Sequence, residues 1–222
     1  MTEKLSEIEL TDLRVALNAK NSISTANEEL NKNLKDTLLR FYLTFNIFES
    51  LFYNKPQWVE EHQGKKTRNI SNKKRREKIQ SFCNKHDYPL KPSAGNHSND
   101  GTFINVINLQ EHFREVYLIK KESWIWTERG ESLKQSKYNP GGLSPSSLDK
   151  LKSFLLCEVT EKENKEKSIE DALFLCYFFR NNLFHGTKEI NKLNNYEKDF
   201  KKIETFMTGL MRYLAANNAP KF

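Results

Sequence analysis

Arg180 and His185 are the residues of this sequence whose types and spacing best suit acid–base chemistry on a phosphate. An arginine can bind two phosphoryl oxygens through its planar guanidinium, and a histidine exchanges a proton near neutral pH. Asn181 lies four residues before His185, so the two share a face of a helix, and Asn182 flanks them. Such a set can cut RNA without a metal: the 2′-hydroxyl attacks the adjacent phosphate, the imidazole moves a proton, and the arginine offsets the growing charge.

An apolar helix must position these side chains, because eight consecutive apolar residues, 172–179, come directly before Arg180. Ser168 followed three residues later by an acid is typical of a helix start, and a glycine directly after His185 is typical of a helix end. We therefore predict one helix over residues 168–185. Arg180 lies about 140° round an ideal helix from His185, so its side chain must curl, or the helix must distort, before both reach one phosphate.

The stretch from Arg180 to Gly186 resembles the R-x(4–6)-H signature of the HEPN superfamily, in the form with asparagine after the arginine and glycine after the histidine. The resemblance implies an all-α, HEPN-like helical bundle. It also implies a metal-independent endoribonuclease without cofactors, in which Arg180, His185 and Asn181 are catalytic and Asn182 supports them. In bacteria such domains commonly act as toxins or in phage defence, so an antitoxin or defence protein is an expected partner besides RNA.

Two other interpretations of the same residues stay open. A HEPN module can bind RNA, or a nucleotidyltransferase-type partner protein, without cutting anything. Alternatively, Arg180 pairs with an acid and His185 caps the last carbonyls of its helix, and neither has a catalytic role.

A second helix, predicted over residues 28–54, carries the candidate partner of Arg180. HEPN domains often place a polar or acidic residue on an early helix facing the arginine of the motif, and Glu49 is that candidate, with Asn46 as second choice. The alternative is that Glu49 is solvated, or pairs with Arg40 or Lys55 on the surface. Apolar residues of this helix step by three and four, which is the spacing of a core-facing stripe: Leu34, Leu38, Phe41, Phe45, Phe48 and Phe52.

A basic stretch over residues 63–78 is the candidate RNA-binding segment, and its densest part is Lys73, Lys74, Arg75 and Arg76. Cations in such a run can follow a phosphate backbone. A solvated helix face explains the same composition.

A homodimer is expected because one chain supplies one His185, whereas the reaction needs both an acid and a base. The belt 172–179 is apolar on every side, so one face could bury in its own core and another against a partner through this helix. The equally supported alternative is that the belt 172–179 is fully buried within a single chain.

Length and composition favour one helical domain over residues 1–222, with residues 60–145 as an irregular insertion and 146–216 as the motif-bearing helices. The net charge of +7 favours polyanionic partners. Three scattered cysteines without C-x-x-C spacing indicate a reduced, cytoplasmic protein rather than a zinc site, and no targeting or membrane segment is expected.

The remaining elements are predicted from periodicity and turn residues. They are a short docking helix within residues 1–27, a loop over 89–102, a helix opening after Asp100 or Thr102, irregular structure or a hairpin at 124–126, a helix starting near Ser146 or Ser147, a charged linker over 158–167, a long helix over about 193–216, and a frayed tail from Asn217.

Overall fold

The structure, a computed structural model, describes residues 32–53, 72–89, 104–135, 141–184 and 190–222. Within these ranges the chain is mostly helical with one small hairpin, which confirms the all-α prediction and its irregular middle region. The elements are α1 (Lys32–Phe52), α2 (Asn72–Lys85), α3 (Val106–Tyr117), β1 (Leu118–Lys120), β2 (Trp124–Trp126), α4 (Glu128–Glu131), α5 (Pro145–Leu156), α6 (Lys162–Phe184), a 3-10 helix (Ile190–Tyr196) and α7 (Glu197–Ala216). The predicted docking helix within residues 1–27 lies outside the described residues, as do His185 and Gly186.

Helices α1 and α7 form one side of the bundle. Helix α7 begins at Glu197, later than the predicted 193, because Ile190–Tyr196 form a 3-10 helix. All six residues of the α1 stripe, from Leu34 to Phe52, are buried. The two helices pack directly on each other, with the rings of Phe41 and Phe200 4.9 Å apart in an edge-to-face contact. The spacing of three and four therefore identified the core face of α1.

Helix α6 runs through the core and is longer at its start than predicted. It begins at Lys162, so the second half of the predicted linker 158–167 is helical. Ser168 is not a cap but a buried residue inside the helix, and its hydroxyl hydrogen-bonds Tyr88 Oη at 2.5 Å. Glutamate and lysine are good helix formers, which explains why this charged run continues the helix.

Side chains of α2 and the residues after it bond to the backbone of α6 near the predicted start. Gln80 Oε1 accepts hydrogen bonds from the backbone N–H groups of Ile169 and Glu170, at 2.7 and 3.0 Å. The Tyr88 hydroxyl donates to the carbonyl of Lys165 at 2.6 Å. The helix therefore does not begin at residue 168. Instead, side chains from another part of the chain hydrogen-bond to the helix backbone near this residue.

The apolar belt 172–179 is largely enclosed by the chain's own core. Leu173, Cys176 and Phe179 are fully buried, and Phe174 and Phe178 are half-buried. Burial within a single chain is therefore sufficient to explain the apolar belt 172–179. The belt is then no evidence for a dimer formed through this helix.

The described parts of residues 60–145 pack on the bundle instead of standing apart from it. Helix α3 begins after the N-cap Asn105, not after Asp100 or Thr102, and its Phe113 contacts Phe179 of α6. The hairpin pairs β1 with β2 in antiparallel register and confirms the expectation for residues 124–126. Gly130 fits tightly beneath it, since a Cβ there would collide with the Tyr117 carbonyl and the Trp126 ring.

Two other predicted boundaries were wrong. Helix α5 is capped by Ser144 with Pro145 in its first turn, rather than by Ser146 or Ser147. The end of the chain from Asn217 is packed and not frayed: Phe222 is buried, and its N–H donates to the Phe52 carbonyl at 2.7 Å. In the described ranges, no helix has the length and apolarity required to cross a bilayer.

Candidate functional site

The last turn of α6 separates the predicted site residues by exposure. Arg180 is half-buried, Asn181 is exposed and Asn182 is buried at 6% exposure. Arg180 Nη1 lies 3.4 Å from Asn181 Oδ1, so these two neighbours are in contact at the surface. Asn182 instead turns toward the core. The predicted pairing with His185 falls outside the described residues, and its geometry stays a prediction.

Glu49 of α1 contacts Arg180 of α6. The distance from Arg180 Nη2 to Glu49 Oε2 is 3.4 Å, and each side chain is 30% exposed. The alternative partner Arg40 pairs with Glu204 of α7 instead, at 3.5 Å. The structure therefore brings the predicted carboxylate and guanidinium together, whereas their catalytic role stays a prediction. Since both side chains are partly solvated, this pair contributes at most about 1 kcal/mol to stability.

Tyr177 holds the same carboxylate from the other side. Its hydroxyl donates to Glu49 Oε1 at 3.1 Å, and its ring stacks on Tyr53 with centroids 6.2 Å apart. Burial raises the pKa of Tyr53 to about 12 and raises that of Tyr177 further, and the charge of Glu49 adds to both shifts. Both phenols are therefore neutral at pH 7. The neutral Tyr177 hydroxyl can then donate a hydrogen bond to the Glu49 carboxylate.

The basic segment reaches this site through Tyr53. The guanidinium carbon of Arg75 lies 4.8 Å from the centroid of the Tyr53 ring, within the range of a cation–π contact. We call Glu49, Tyr53, Arg75, Tyr177 and Arg180 the Glu49 cluster. It joins α1, α2 and α6 and contains one carboxylate, two stacked phenol rings and two arginines.

The other basic candidates divide between ring contacts and solvent. Arg76 is half-buried with its guanidinium carbon 5.6 Å from the Phe174 centroid. Lys73 and Lys74 are exposed, and Lys73 lies 3.7 Å from Glu77 on its own helix. Two of the four predicted cations are thus fixed on aromatic rings, and two extend from the helix surface. Asn46 is half-buried on α1, one turn before Glu49.

The tyrosines of the Glu49 cluster were missed by the sequence analysis, although a signal for each exists. Tyr177 lies three residues before Arg180, and Tyr53 lies four residues after Glu49. Tyr177 therefore lies on the same face of α6 as Arg180, and Tyr53 lies one residue beyond the end of α1, one turn after Glu49.

The described ranges contain no group of three or more His, Cys, Asp or Glu side chains arranged to hold a metal. A shallow cavity of about 170 Å³ lies away from the Glu49 cluster, between the start of α3 and α7, where Asn105 and Lys202 are among its lining residues. Within the Glu49 cluster, Glu49 and Arg180 are each 30% exposed whereas Tyr53 and Tyr177 are buried, so the carboxylate and the guanidinium are the groups that a ligand can reach.

The fold and the site define this chain as an all-α bundle with a partly exposed arginine, carboxylate and tyrosine cluster at the end of a buried helix. No family model matches the chain, and neither a curated protein nor a solved structure matches it.

Proposed function

We propose that this chain is a HEPN-like, metal-independent endoribonuclease, with growth inhibition in a toxin or phage-defence role as its cellular outcome. The observation that supports this most is the placement of Arg180. Its guanidinium stands partly exposed at the end of an otherwise buried helix, and Glu49, itself held by Tyr177, orients it.

Arg180 has the role of binding the scissile phosphate. A guanidinium carries five N–H donors, and its contacts with Glu49 and Asn181 are both 3.4 Å long. Charge-assisted bonds of full strength are about 2.7–2.9 Å long, so a phosphate oxygen can compete for these donors. As negative charge grows on the phosphoryl oxygens during reaction, this contact strengthens and stabilises the transition state.

His185 has the role of proton transfer. The 2′-oxygen bonds to phosphorus while the bond to the 5′-oxygen breaks, one group takes the 2′-hydroxyl proton, and another protonates the leaving oxygen. The products are a 2′,3′-cyclic phosphate and a 5′-hydroxyl end. The imidazole performs one of these transfers, and His185 of a second copy performs the other. Asn181 orients the imidazole or a phosphoryl oxygen.

Arg75 and the exposed Lys73 and Lys74 extend the contact along the RNA backbone. Arg75 lies over the Tyr53 ring, and a chain of contacts through Tyr177 and Glu49 connects this ring to Arg180. Each phosphate that these cations neutralise makes the affinity fall more steeply with salt.

Purified protein incubated with total RNA in EDTA tests the proposal. We expect wild type to cleave RNA to products with 5′-hydroxyl ends, which a polynucleotide kinase labels without prior phosphatase treatment. His185→Ala removes cleavage, whereas the matched control His86→Ala retains it, because His86 is an exposed residue whose ring lies tilted against Phe82, outside the Glu49 cluster. If wild type and His185→Ala bind RNA but neither cuts it, the chain is a binding module and the proposed enzyme is rejected.

A further inference from the structure

Helix α2 carries most of the net charge of the chain. Its 14 residues include six lysines and arginines and one acid, so the helix contributes +5 to the total of +7. The acid, Glu77, lies 3.7 Å from Lys73 and offsets that cation. In the part of the chain that the structure describes, no ion pair involves Lys78 or Lys85.

Three of these cations lie together on the side of α2 that faces away from the bundle. Lys74, Lys78 and Lys85 are exposed, and their spacings of four and seven place them within about 40° of one another on an ideal helix. Ile79 and Cys83 are fully buried on the opposite side. We call the three lysines the α2 ridge, which extends over about 16 Å of helix.

Solubility alone does not explain the order of charges along α2. The positive end of a helix macrodipole lies at the first turn, where acids stabilise the helix and cations do not. Helix α2 has no acid in its first turn, where Lys73 and Lys74 are followed by Arg75. Lys74 and Lys78 are four residues apart, a spacing at which like charges destabilise a helix. The free protein therefore carries an electrostatic cost that a bound polyanion relieves.

The α2 ridge begins near the Glu49 cluster and leads away from it. Arg75, at the start of α2, lies over the Tyr53 ring of the cluster. Gln80, further along α2, bonds to the backbone of Ile169, three turns of α6 before Arg180. Helix α2 therefore runs antiparallel to α6, and its exposed lysines lie at increasing distance from the end of α6.

We propose that the α2 ridge binds the RNA backbone to one side of the scissile phosphate, an assignment that rests on the proposed function. A nucleic-acid strand advances about 3.4 Å per phosphate along its helix axis, so roughly five nucleotides match the length of the ridge. The substrate is then an RNA chain that continues for several nucleotides beyond the phosphate on Arg180, and a dinucleotide lacks most of the contacts.

An RNA strand suits the α2 ridge better than an anionic membrane does. A helix that binds a membrane surface inserts apolar side chains beside its cations. The apolar residues Ile79 and Cys83 of α2 are instead enclosed by the bundle, and the large hydrophobic side chains exposed in the described ranges belong to α1 and the hairpin.

Fluorescein-labelled oligouridylates test the α2 ridge when the full chain carries His185→Ala, so that cleavage does not interfere. Fluorescence anisotropy in EDTA should show at least about tenfold tighter binding for a probe of about 20 nucleotides than for one of about 4. The double variant Lys78→Glu, Lys85→Glu should remove most of this difference and reduce the slope of log affinity against log salt by about 1.4. The matched control Lys198→Glu, Lys202→Glu changes the net charge equally at two exposed lysines of α7 and retains tight binding.

Lys74→Glu separates binding from folding. It places an acid at the positive end of the macrodipole and four residues before Lys78, so the midpoint of thermal unfolding should rise by about 1–3 °C. The same substitution should weaken binding of the longer probe. A Lys74→Glu variant that is less stable than its parent, or that binds the longer probe equally well, contradicts the proposal.

Equal affinity of the ridge and control variants for the longer probe would overturn the α2 ridge. Loss of binding to phosphatidylcholine–phosphatidylserine vesicles in the ridge variant, with binding of RNA unchanged, would overturn it in favour of a membrane surface. If the ridge variant loses RNA binding but wild type cuts no RNA, the α2 ridge stands and the proposed enzyme is rejected. If wild type cuts RNA and the ridge variant binds RNA equally well, the enzyme stands and the α2 ridge is rejected.

Discussion

Two carboxylates of this bundle bind an arginine, and they do so in opposite surroundings. Asp199, at the start of α7, is fully buried and accepts from Arg129 Nη2 at 2.6 Å, from Tyr117 Oη at 2.6 Å and from His112 Nε2 at 2.8 Å. We call these four residues the Asp199 cluster. Glu49 is 30% exposed and has its arginine at 3.4 Å.

The contrast separates a structural site from a site that can exchange partners. A fully buried carboxylate with three short hydrogen bonds is out of reach of a ligand, and removing it leaves its donors buried without a partner. A half-exposed carboxylate with longer contacts gives up little when a phosphate binds its arginine. The Asp199 cluster therefore holds α3, α4 and α7 together, whereas the Glu49 cluster positions a cation that a ligand can reach.

Asp199→Ala tests the structural half of the comparison and has the largest expected effect. It leaves Arg129, Tyr117 and His112 facing an empty position, so the free energy of unfolding should fall by about 3–5 kcal/mol. Denaturant titration followed by circular dichroism measures the change.

Glu204→Ala is the matched control on the same helix, because Glu204 pairs with the largely exposed Arg40 at 3.5 Å. Its cost should stay below about 1 kcal/mol. An Asp199→Ala variant no less stable than Glu204→Ala would remove the distinction between the two carboxylates.

The two arginines should give opposite profiles. Arg180→Ala is expected to lower RNA cleavage by about 10²- to 10³-fold, since it removes a preorganised contact with the developing charge, while stability changes by less than about 1 kcal/mol. Arg129→Ala should lower the free energy of unfolding by about 3 kcal/mol or more, because it leaves the buried Asp199 without its cation. Cleavage and denaturation measured on both variants check the pair, and a stability loss in Arg180→Ala equal to that in Arg129→Ala would contradict it.

The fold could be predicted where neighbours along the chain determine it. The α1 stripe is readable because each apolar residue follows the last by three or four positions. The charged run from Lys162 to Lys167 misled the prediction, because its lack of apolar residues suggested a linker, although Glu163 and Lys167 are spaced to pair on a helix. Contacts of α2 and Tyr88 with this run then fix its place on the bundle.

The Asp199 cluster could not be predicted from the sequence, because its members come from distant parts of the chain. His112, Tyr117 and Arg129 lie 87, 82 and 70 positions from Asp199. No local pattern connects them, and each alone is compatible with an exposed side chain. The contact of Glu49 with Arg180 spans 131 positions and was anticipated only through the HEPN resemblance.

Alkaline pH tests whether buried phenols support the Glu49 cluster. Burial raises the pKa of Tyr53 to about 12 from an unperturbed 10, so the unfolded chain loses this proton first as the pH rises. The stability that the protonated Tyr53 contributes is fully present below pH 10 and is lost between pH 10 and 12. Over that range the free energy of unfolding should fall by about 1.4 kcal/mol per pH unit for this tyrosine. Tyr53→Phe should reduce that slope by the same amount, measured by denaturant titration at several pH values.

Tyr88→Phe provides the comparison for this slope, because burial raises the pKa of Tyr88 to about 12 as well. An unchanged slope in Tyr53→Phe, together with a reduced slope in Tyr88→Phe, would show that water reaches Tyr53 and that the Glu49 cluster lacks a buried support.

Tyr177→Phe has the smallest expected effect. It tests whether the Tyr177 hydroxyl is needed to position the Glu49 carboxylate. The substitution keeps the ring that stacks on Tyr53 and removes the hydroxyl that donates to Glu49 Oε1 at 3.1 Å. Stability should fall by about 1 kcal/mol, because water replaces the donor at a half-exposed carboxylate. Cleavage should fall by less than about tenfold, since Glu49 still contacts Arg180 but its orientation is less restricted.

Tyr213→Phe is the matched control, because the Tyr213 hydroxyl also donates at 3.1 Å, but to the carbonyl of His86 outside the Glu49 cluster. It should lower stability by a similar amount and leave cleavage unchanged. If both phenylalanine variants cleave RNA like wild type while Arg180→Ala does not, Glu49 needs no second residue to position the arginine. The two clusters would then share an arginine, a carboxylate and a tyrosine. Each donor to Asp199 would be needed for stability, whereas the tyrosine hydroxyl that donates to Glu49 would not be needed for cleavage.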